Sequence, residues 1–240
     1  DNLVLLKNPE KHHYEPNLAF MPLAEIDLTQ LAGDLIATGE SAVKCFLAAI
    51  EEWKLLLASA LAGLSRQAIE MASAYASERV AFGQYIGTFQ AISHPLATLI
   101  TDTDAAKLFV WKSLRDIADG NERAGAQVSL ALWWAADVST RAVSQSLQTF
   151  GGYGLTTDYD IHRYNLYAKA WSLVFGDPLR LLEEGACRLY DDEPVVLPDV
   201  GVVTIDFDRG DEAHRMARRV ADFFDQHLTP ELREKAHFTW

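Results

Sequence analysis

The sequence predicts a mainly α protein: an up-down four-helix bundle, with a remnant of a β domain before it and a helical tail after it. Three observations predict this. Leu57, Leu61, Leu64, Ala68, Met71 and Tyr75 recur at alternating four- and three-residue steps, which puts them on one helix face. Glycine punctuation at Gly83-Gln84, Gly87, Gly120-Asn121, Gly151-Gly152 and Gly154 cuts residues 41–189 into four long helical segments. The connections between these segments are short, which makes neighbours antiparallel.

In chain order, residues 1–38 carry two short apolar runs, 3–6 and 18–21, separated by proline and polar turns such as Asn8-Pro9. They read as strands, and two strands are marginal alone, so they are expected to finish a larger sheet. The helices are expected at about 41–81, 88–119, 122–149 and 158–189. The last is interrupted at Gly176-Asp177-Pro178, because proline breaks a helix interior. Thr157-Asp158-Tyr159-Asp160 has the form of a capping box at its start. Long, Ala-rich helices leave broad apolar faces, which suggests bundles packed against one another as an oligomer. From Asp191 the composition shifts. Asp191-Asp192-Glu193-Pro194 and Pro198-Asp199 read as a linker, and 201–207 is a short apolar stretch. An amphipathic helix follows from Asp211, with Met216, Val220, Phe223 and Phe224 on one face. Thr229-Pro230-Glu231 opens another. The expected divisions are 1–38, 39–190, 191–205 and 206–240.

Composition bounds the function. A formal charge of −13 argues against nucleic acid or an anionic membrane as partner, since both want a basic face. The two cysteines, Cys45 and Cys187, are far apart and have no metal-ligand spacing. They form no disulfide framework, and a reducing cytoplasm is expected. No run is long enough to span a bilayer. The chain opens at Asp1 without an initiator Met and reads as a piece of something longer.

Two segments carry chemistry. In the first, Arg79 stands at a helix end, followed by Phe82-Gly83 and then by Phe89-Gln90 at the next helix start. Arginine holds a diphosphate by charge-assisted, often bidentate hydrogen bonds, and a helix N-terminus adds backbone N–H donors. The second is Gln148-Thr149-Phe150-Gly151-Gly152-Tyr153-Gly154, where three glycines in four residues permit close approach of backbone to a ligand. Alone, the first reads as a helix–helix turn and the second as a helix C-cap.

Together they are more specific. Arg-x-x-Phe-Gly, an eight-residue step from that Phe to Gln90, and then Gln-x-x-Gly-Gly-x-Gly resemble the acyl-CoA dehydrogenase family. His94 and Leu96-Ala97 also fit. The resemblance covers about residues 1–190, as the end of the middle β domain plus the C-terminal helical domain. It implies an FAD site built in trans, where these segments contact the flavin of a neighbouring unit. Arg79, Phe82 and Gln90 would hold the adenosine pyrophosphate, with Gln148, Gly151, Gly152 and Gly154 alongside. It also implies an acyl-CoA substrate and an electron-transfer flavoprotein as partner. Residues 212–231 look like the opening helices of the family's N-terminal domain. That suggests a tandem or heteromeric member, as in bacterial lines that degrade steroid side chains.

The family's reaction needs a carboxylate beside the substrate α carbon. In most members it is the Glu of Tyr-Glu-Gly-Thr. Here the matching run is Val174-Phe175-Gly176-Asp177, so Phe175 holds that position. Some members place the Glu on the first helix, where counting back from Arg79 reaches Trp53. Neither side chain accepts a proton. Glu51 and Glu52 lie next to Trp53 and read as solvated carboxylates. Arg-Asp-Ala is eroded to Leu166-Tyr167-Ala168, and Arg163 survives as a partner for Asp160. The expectation is thus a half that supports a neighbour's FAD and has no catalytic residue of its own. The alternatives are a conventional enzyme with a displaced base at Glu52 or Asp177, a flavin monooxygenase of the same fold, or a purely structural bundle.

Overall fold

The computed structural model describes residues 1–6, 13, 14, 17, 24, 25, 32–191, 195–199, 210–229 and 232. The expected strand at 18–21, the stretch at 201–207 and the helix start at Pro230-Glu231 lie outside the described residues. The chain divides into two compact units, Asp1–Val202 and Val203–Trp240.

In the first unit, β1 (Asn2–Leu6) pairs antiparallel with β4 (Gly33–Thr38), with a register shift between Leu3 and Val4. A second, two-residue ladder joins β2 (His13–Tyr14) to β3 (Ala24–Glu25). Leu5, Leu35 and Ile36 are exposed on the β1–β4 ribbon.

The helices follow the glycine punctuation. They are α1 (Gly39–Glu78), α2 (Gln90–Ala118), α3 (Ala124–Phe150), α4 (Ile161–Trp171) and α5 (Pro178–Tyr190). Between α1 and α2 lies a small hairpin of β5 (Val80–Ala81) and β6 (Gln84–Tyr85). At 40 residues, α1 is about 60 Å long at 1.5 Å per residue. The stripe expected on it is the observed core face. Leu57, Leu61, Leu64 and Ala68 are buried, and Met71 and Tyr75 pack partly buried against them.

Helix α3 is central and lies against α1, α2, α4 and α5. Its buried residues are mostly small, including Ala131, Ala135, Ala136, Ser139, Ala142 and Ser146. Small side chains let neighbouring backbones approach closely, and Leu61, Leu132, Leu99 and Ile161 fill the space between.

The predicted break falls at residues 172–177, where Gly176 takes φ +84° and Pro178 opens α5. The expected capping box does not form. Helix α4 begins at Ile161, Asp160 is its N-cap in helical conformation, and no side chain caps it. Thr156 Oγ1 instead lies 3.2 Å from Asp158 Oδ2 and donates to the Tyr153 carbonyl at 2.9 Å, which commits the local polar groups to a turn.

Val195, in the segment read as a linker, lies against α3. A Cβ added at Gly125 of α3 would come within 2.7 Å of Val195. In the second unit, α6 (Gly210–His227) carries Met216, Val220, Phe223 and Phe224 exposed. Among the described residues no helix is long and apolar enough to cross a membrane.

Candidate functional site

The site is built where α1 ends. Arg79 is the C-cap of that helix. Its N–H donates to the Tyr75 carbonyl at 2.9 Å, and its carbonyl accepts from Ile86 N at 2.9 Å. Both backbone groups are spent, so the Arg79 Cα is held firmly.

The β5–β6 hairpin turns on Phe82 and Gly83, with φ of +54° and +81°. Two successive positive φ values suit a hairpin turn, but only the glycine adopts them cheaply. Phe82 is nonetheless held there, 95% exposed, with Phe89 edge-to-face at 6.2 Å. Gly87 lets the following turn rest on α1, since a Cβ there would lie 3.0 Å from the Ala76 carbonyl oxygen.

Opposite stands the end of α3. Gly151 adopts φ +60°, ψ −137°, a region essentially reserved for glycine. Gly154 is buried, and a Cβ there would lie 2.8 Å from the Leu147 carbonyl oxygen. Gly152 differs from both. Its φ is not positive, and a Cβ there would meet nothing within 4 Å. The fold explains the first two glycines and leaves Gly152 unexplained.

Between these segments lies a groove of about 440 Å³, lined by Tyr75, Arg79, Phe150, Gly151, Gly152 and Tyr153 among others. Its wall is aromatic. Tyr75 stacks on Phe150 at 4.4 Å, Tyr159 meets both at 5.6 and 4.9 Å, and Tyr153 meets Tyr159 at 6.2 Å. The Arg79 guanidinium lies over the Tyr153 ring, 5.5 Å from its centre. Among the described residues no carboxylate pairs with it.

Of the residues singled out in the sequence, Arg79, Gly151 and Gly152 therefore line one groove. Phe82 sits at the hairpin tip and Gly154 lies buried in the turn after α3. Gln90 and Gln148 are exposed at the start of α2 and the end of α3. The aromatic wall was not foreseen. Phe150 and Tyr153 stood within the glycine motif and Tyr75 on the α1 stripe, but nothing in the sequence joined them into a wall. A guanidinium with no carboxylate partner among the described residues, beside a glycine with open space, fits an anionic group approaching the backbone, as a diphosphate does. Among the described residues no cluster of three or more His, Cys, Asp or Glu could hold a metal.

A second place concerns proton transfer. Trp53 and Phe175, far apart in sequence, meet edge-to-face at 4.9 Å. Glu52 is exposed on α1. Glu51 is not the solvated carboxylate expected, for it is only 4% exposed. Arg188 of α5 grips it through two nitrogens at 2.8 and 2.9 Å, and Lys54 adds a contact at 2.8 Å. Glu184 bridges the same two cations, and Ser129 of α3 joins both Arg188 and Glu184. Burial by itself raises the Glu51 carboxyl. The hydrogen bonds from Arg188 and Lys54, with their charges, outweigh it and hold the group below the usual carboxylate range.

Asp177 accepts a hydrogen bond from Leu179 N at 3.0 Å and caps α5. Arg163 lies 3.4 Å from Asp160, and His162 Nδ1 lies 2.8 Å from the Tyr159 carbonyl oxygen.

Comparison with known proteins fits this architecture. Residues 43–178 match the family model for the acyl-CoA dehydrogenase C-terminal domain. The probable acyl-CoA dehydrogenase YngJ of Bacillus subtilis is 31% identical over 150 residues, which is 62% of this chain and 39% of that protein. The butyryl-CoA dehydrogenase of Megasphaera elsdenii superposes with a TM-score of 0.60 at 25% identity, over 71% of this chain and 43% of that one. A variant of the Tcur3481-Tcur3483 steroid ACAD gives 0.59 at 27%, over 68% and 46%. The chain thus spans about two fifths of the length of the curated relatives it matches. More than half of the chain matches one family model, over the same helices that build the groove, and the chain belongs to the acyl-CoA dehydrogenase family.

Proposed function

We propose that this chain is part of an FAD-dependent acyl-CoA dehydrogenase, and that it grips the flavin of a neighbouring unit without supplying a catalytic base. The observation that carries the reading is the Arg79 guanidinium, without a carboxylate partner among the described residues, beside the Gly151–Gly152 step. Members of the family are FAD-dependent. In this reading Arg79 neutralises the flavin diphosphate, and Gly152 leaves room for it against the backbone. Phe82, held exposed at a backbone cost, reaches outward to the neighbour, and Gln90 and Gln148 present amides at the rim.

When bound, FAD supplies the acceptor for hydride from the acyl β carbon. The α proton must go to a carboxylate, and the two positions where the family places one are here Trp53 and Phe175. Both are apolar, and they lie against each other. The base therefore comes from another unit. Helix α6, with its uncovered apolar face, would open a second acyl-CoA dehydrogenase-like N-terminal domain, making the protein a tandem or heteromeric member. Likeness to a steroid ACAD supports a sterol side-chain acyl-CoA as substrate. An electron-transfer flavoprotein would take the electrons away.

The test is the flavin content of the full-length protein, unaltered and Arg79→Ala, by absorbance after purification. A clear loss of FAD is expected, and an unchanged content would sink the flavin-gripping role. Turnover of any acyl-CoA by the isolated 240-residue chain would sink the missing base.

A further inference from the structure

We infer that Tyr153 is a positioning residue, whose ring face holds the Arg79 guanidinium beside the Gly151–Gly152 step, ready for a diphosphate. The inference rests on the flavin-gripping reading and adds a residue to it. Arg79 has a fixed backbone but a long side chain, and no carboxylate among the described residues restrains its end. A free guanidinium samples many rotamers, and each anion it binds must first overcome that freedom. The aromatic face 5.5 Å away restrains it by attraction of the cation to the ring quadrupole. Unlike a carboxylate, a ring face leaves the N–H donors of arginine unspent for a ligand.

The platform is itself anchored. The Tyr153 carbonyl accepts from Thr156 N at 3.1 Å and Thr156 Oγ1 at 2.9 Å, which fixes its backbone. Its ring meets Tyr159, which meets Tyr75 and Phe150, and Phe150 is in the core. Rigidity passes from the core through three rings to the charge. Tyr75 also accepts the backbone N–H of Arg79, so the residue is located from both ends. The ring, and not the hydroxyl, does the positioning.

The experiment titrates the 240-residue chain with ADP by calorimetry, alone and as Arg79→Ala, Tyr153→Phe, Tyr153→Leu and the Arg79→Ala/Tyr153→Leu pair. Thermal midpoints are measured alongside. Tyr153→Leu should weaken ADP binding about two- to fivefold, the strength of a cation–π contact at an exposed site. Tyr153→Phe should bind as the unaltered chain does. In the Arg79→Ala background, Tyr153→Leu should have no further effect, because it acts through the arginine. Undiminished binding by Tyr153→Leu, loss in Tyr153→Phe, or additive losses in the pair would each overturn the inference. If Tyr153→Leu lowers the thermal midpoint enough to compromise folding, Tyr153→Met takes its place under the same criteria. Should the unaltered chain bind no ADP, or Arg79→Ala bind it equally well, the flavin-gripping reading falls, and this inference with it. Loss in Arg79→Ala with none in Tyr153→Leu removes this inference alone.

Discussion

Trp53 of α1 and Phe175, in the turn before α5, meet edge-to-face with ring centres 4.9 Å apart and planes at 63°. The two positions where the family resemblance would place a carboxylate thus lie side by side, and both are aromatic. Neither can take a proton, so on the proposed function Trp53→Leu and Phe175→Leu should leave acyl-CoA dehydrogenation by the full-length protein within about twofold. Each should cost about 1 kcal/mol of stability from the lost ring contact. A hundredfold fall in kcat with unchanged stability would show that one of them touches the reacting groups.

The buried Glu51 cluster should contribute to acid sensitivity. Among the described residues it holds two acids and two bases, and it joins α1, α3 and α5. Glu51→Ala takes a buried carboxylate from Lys54 and Arg188, and denaturant unfolding should show a loss of about 3 kcal/mol. The folded carboxyl titrates below its unfolded value. Its contribution is therefore full above the unfolded pKa of about 4.3 and is lost as pH falls through the lower folded value. Glu51→Gln should flatten the stability profile in that acid window. An unaltered acid limb in the variant would contradict the assignment.

Asp177 is a cap in this structure. Asp177→Ala should cost about 1 kcal/mol by the loss of the Leu179 N–H acceptor, and Asp177→Asn should cost less, since the amide oxygen also accepts. Neither should change kcat in the full-length enzyme. A large loss of kcat in Asp177→Asn, with stability kept, would make it the displaced base instead.

The glycines separate fold from ligand. Gly154→Ala should destabilise by about 2 kcal/mol, because the new methyl meets a backbone carbonyl in a tight turn. Gly152→Ala should change stability by less than about 0.5 kcal/mol and still lower flavin content in the full-length protein. Flavin retained by Gly152→Ala would leave that glycine without a role at the groove.

What the sequence made legible was local. Helix ends fell within a few residues of Gly120, Gly151 and Pro178, because glycine and proline act through their own backbone. The α1 stripe was readable for the same reason, as its period lies within one element. Glu51 was not, for Arg188, which grips it through two nitrogens, stands 137 residues away, and charge next to Trp53 looked like surface. The capping box failed because Thr156, one residue earlier, had already committed the turn. At the groove, Arg79, Gly151 and Gly152 were visible as motif letters. The aromatic wall from Tyr75 to Tyr159 was hidden, because rings on three separate segments converge only after folding.

Helix α1 runs unbroken from Gly39 to Glu78, with Trp53 and the Glu51 cluster toward one end and Arg79 capping the other. It works as a ruler. The 26 steps from Trp53 to Arg79 set a separation of about 39 Å and a fixed angle between them. One inserted residue would push the ends about 1.5 Å apart and turn one against the other by about 100°. An insertion of seven residues, about two turns, would nearly restore the angle, but it would add about 10 Å of length. Related chains that keep both ends in use should therefore differ along this rod by substitution, and should take up changes of length in the turns at 82–89 and 119–123.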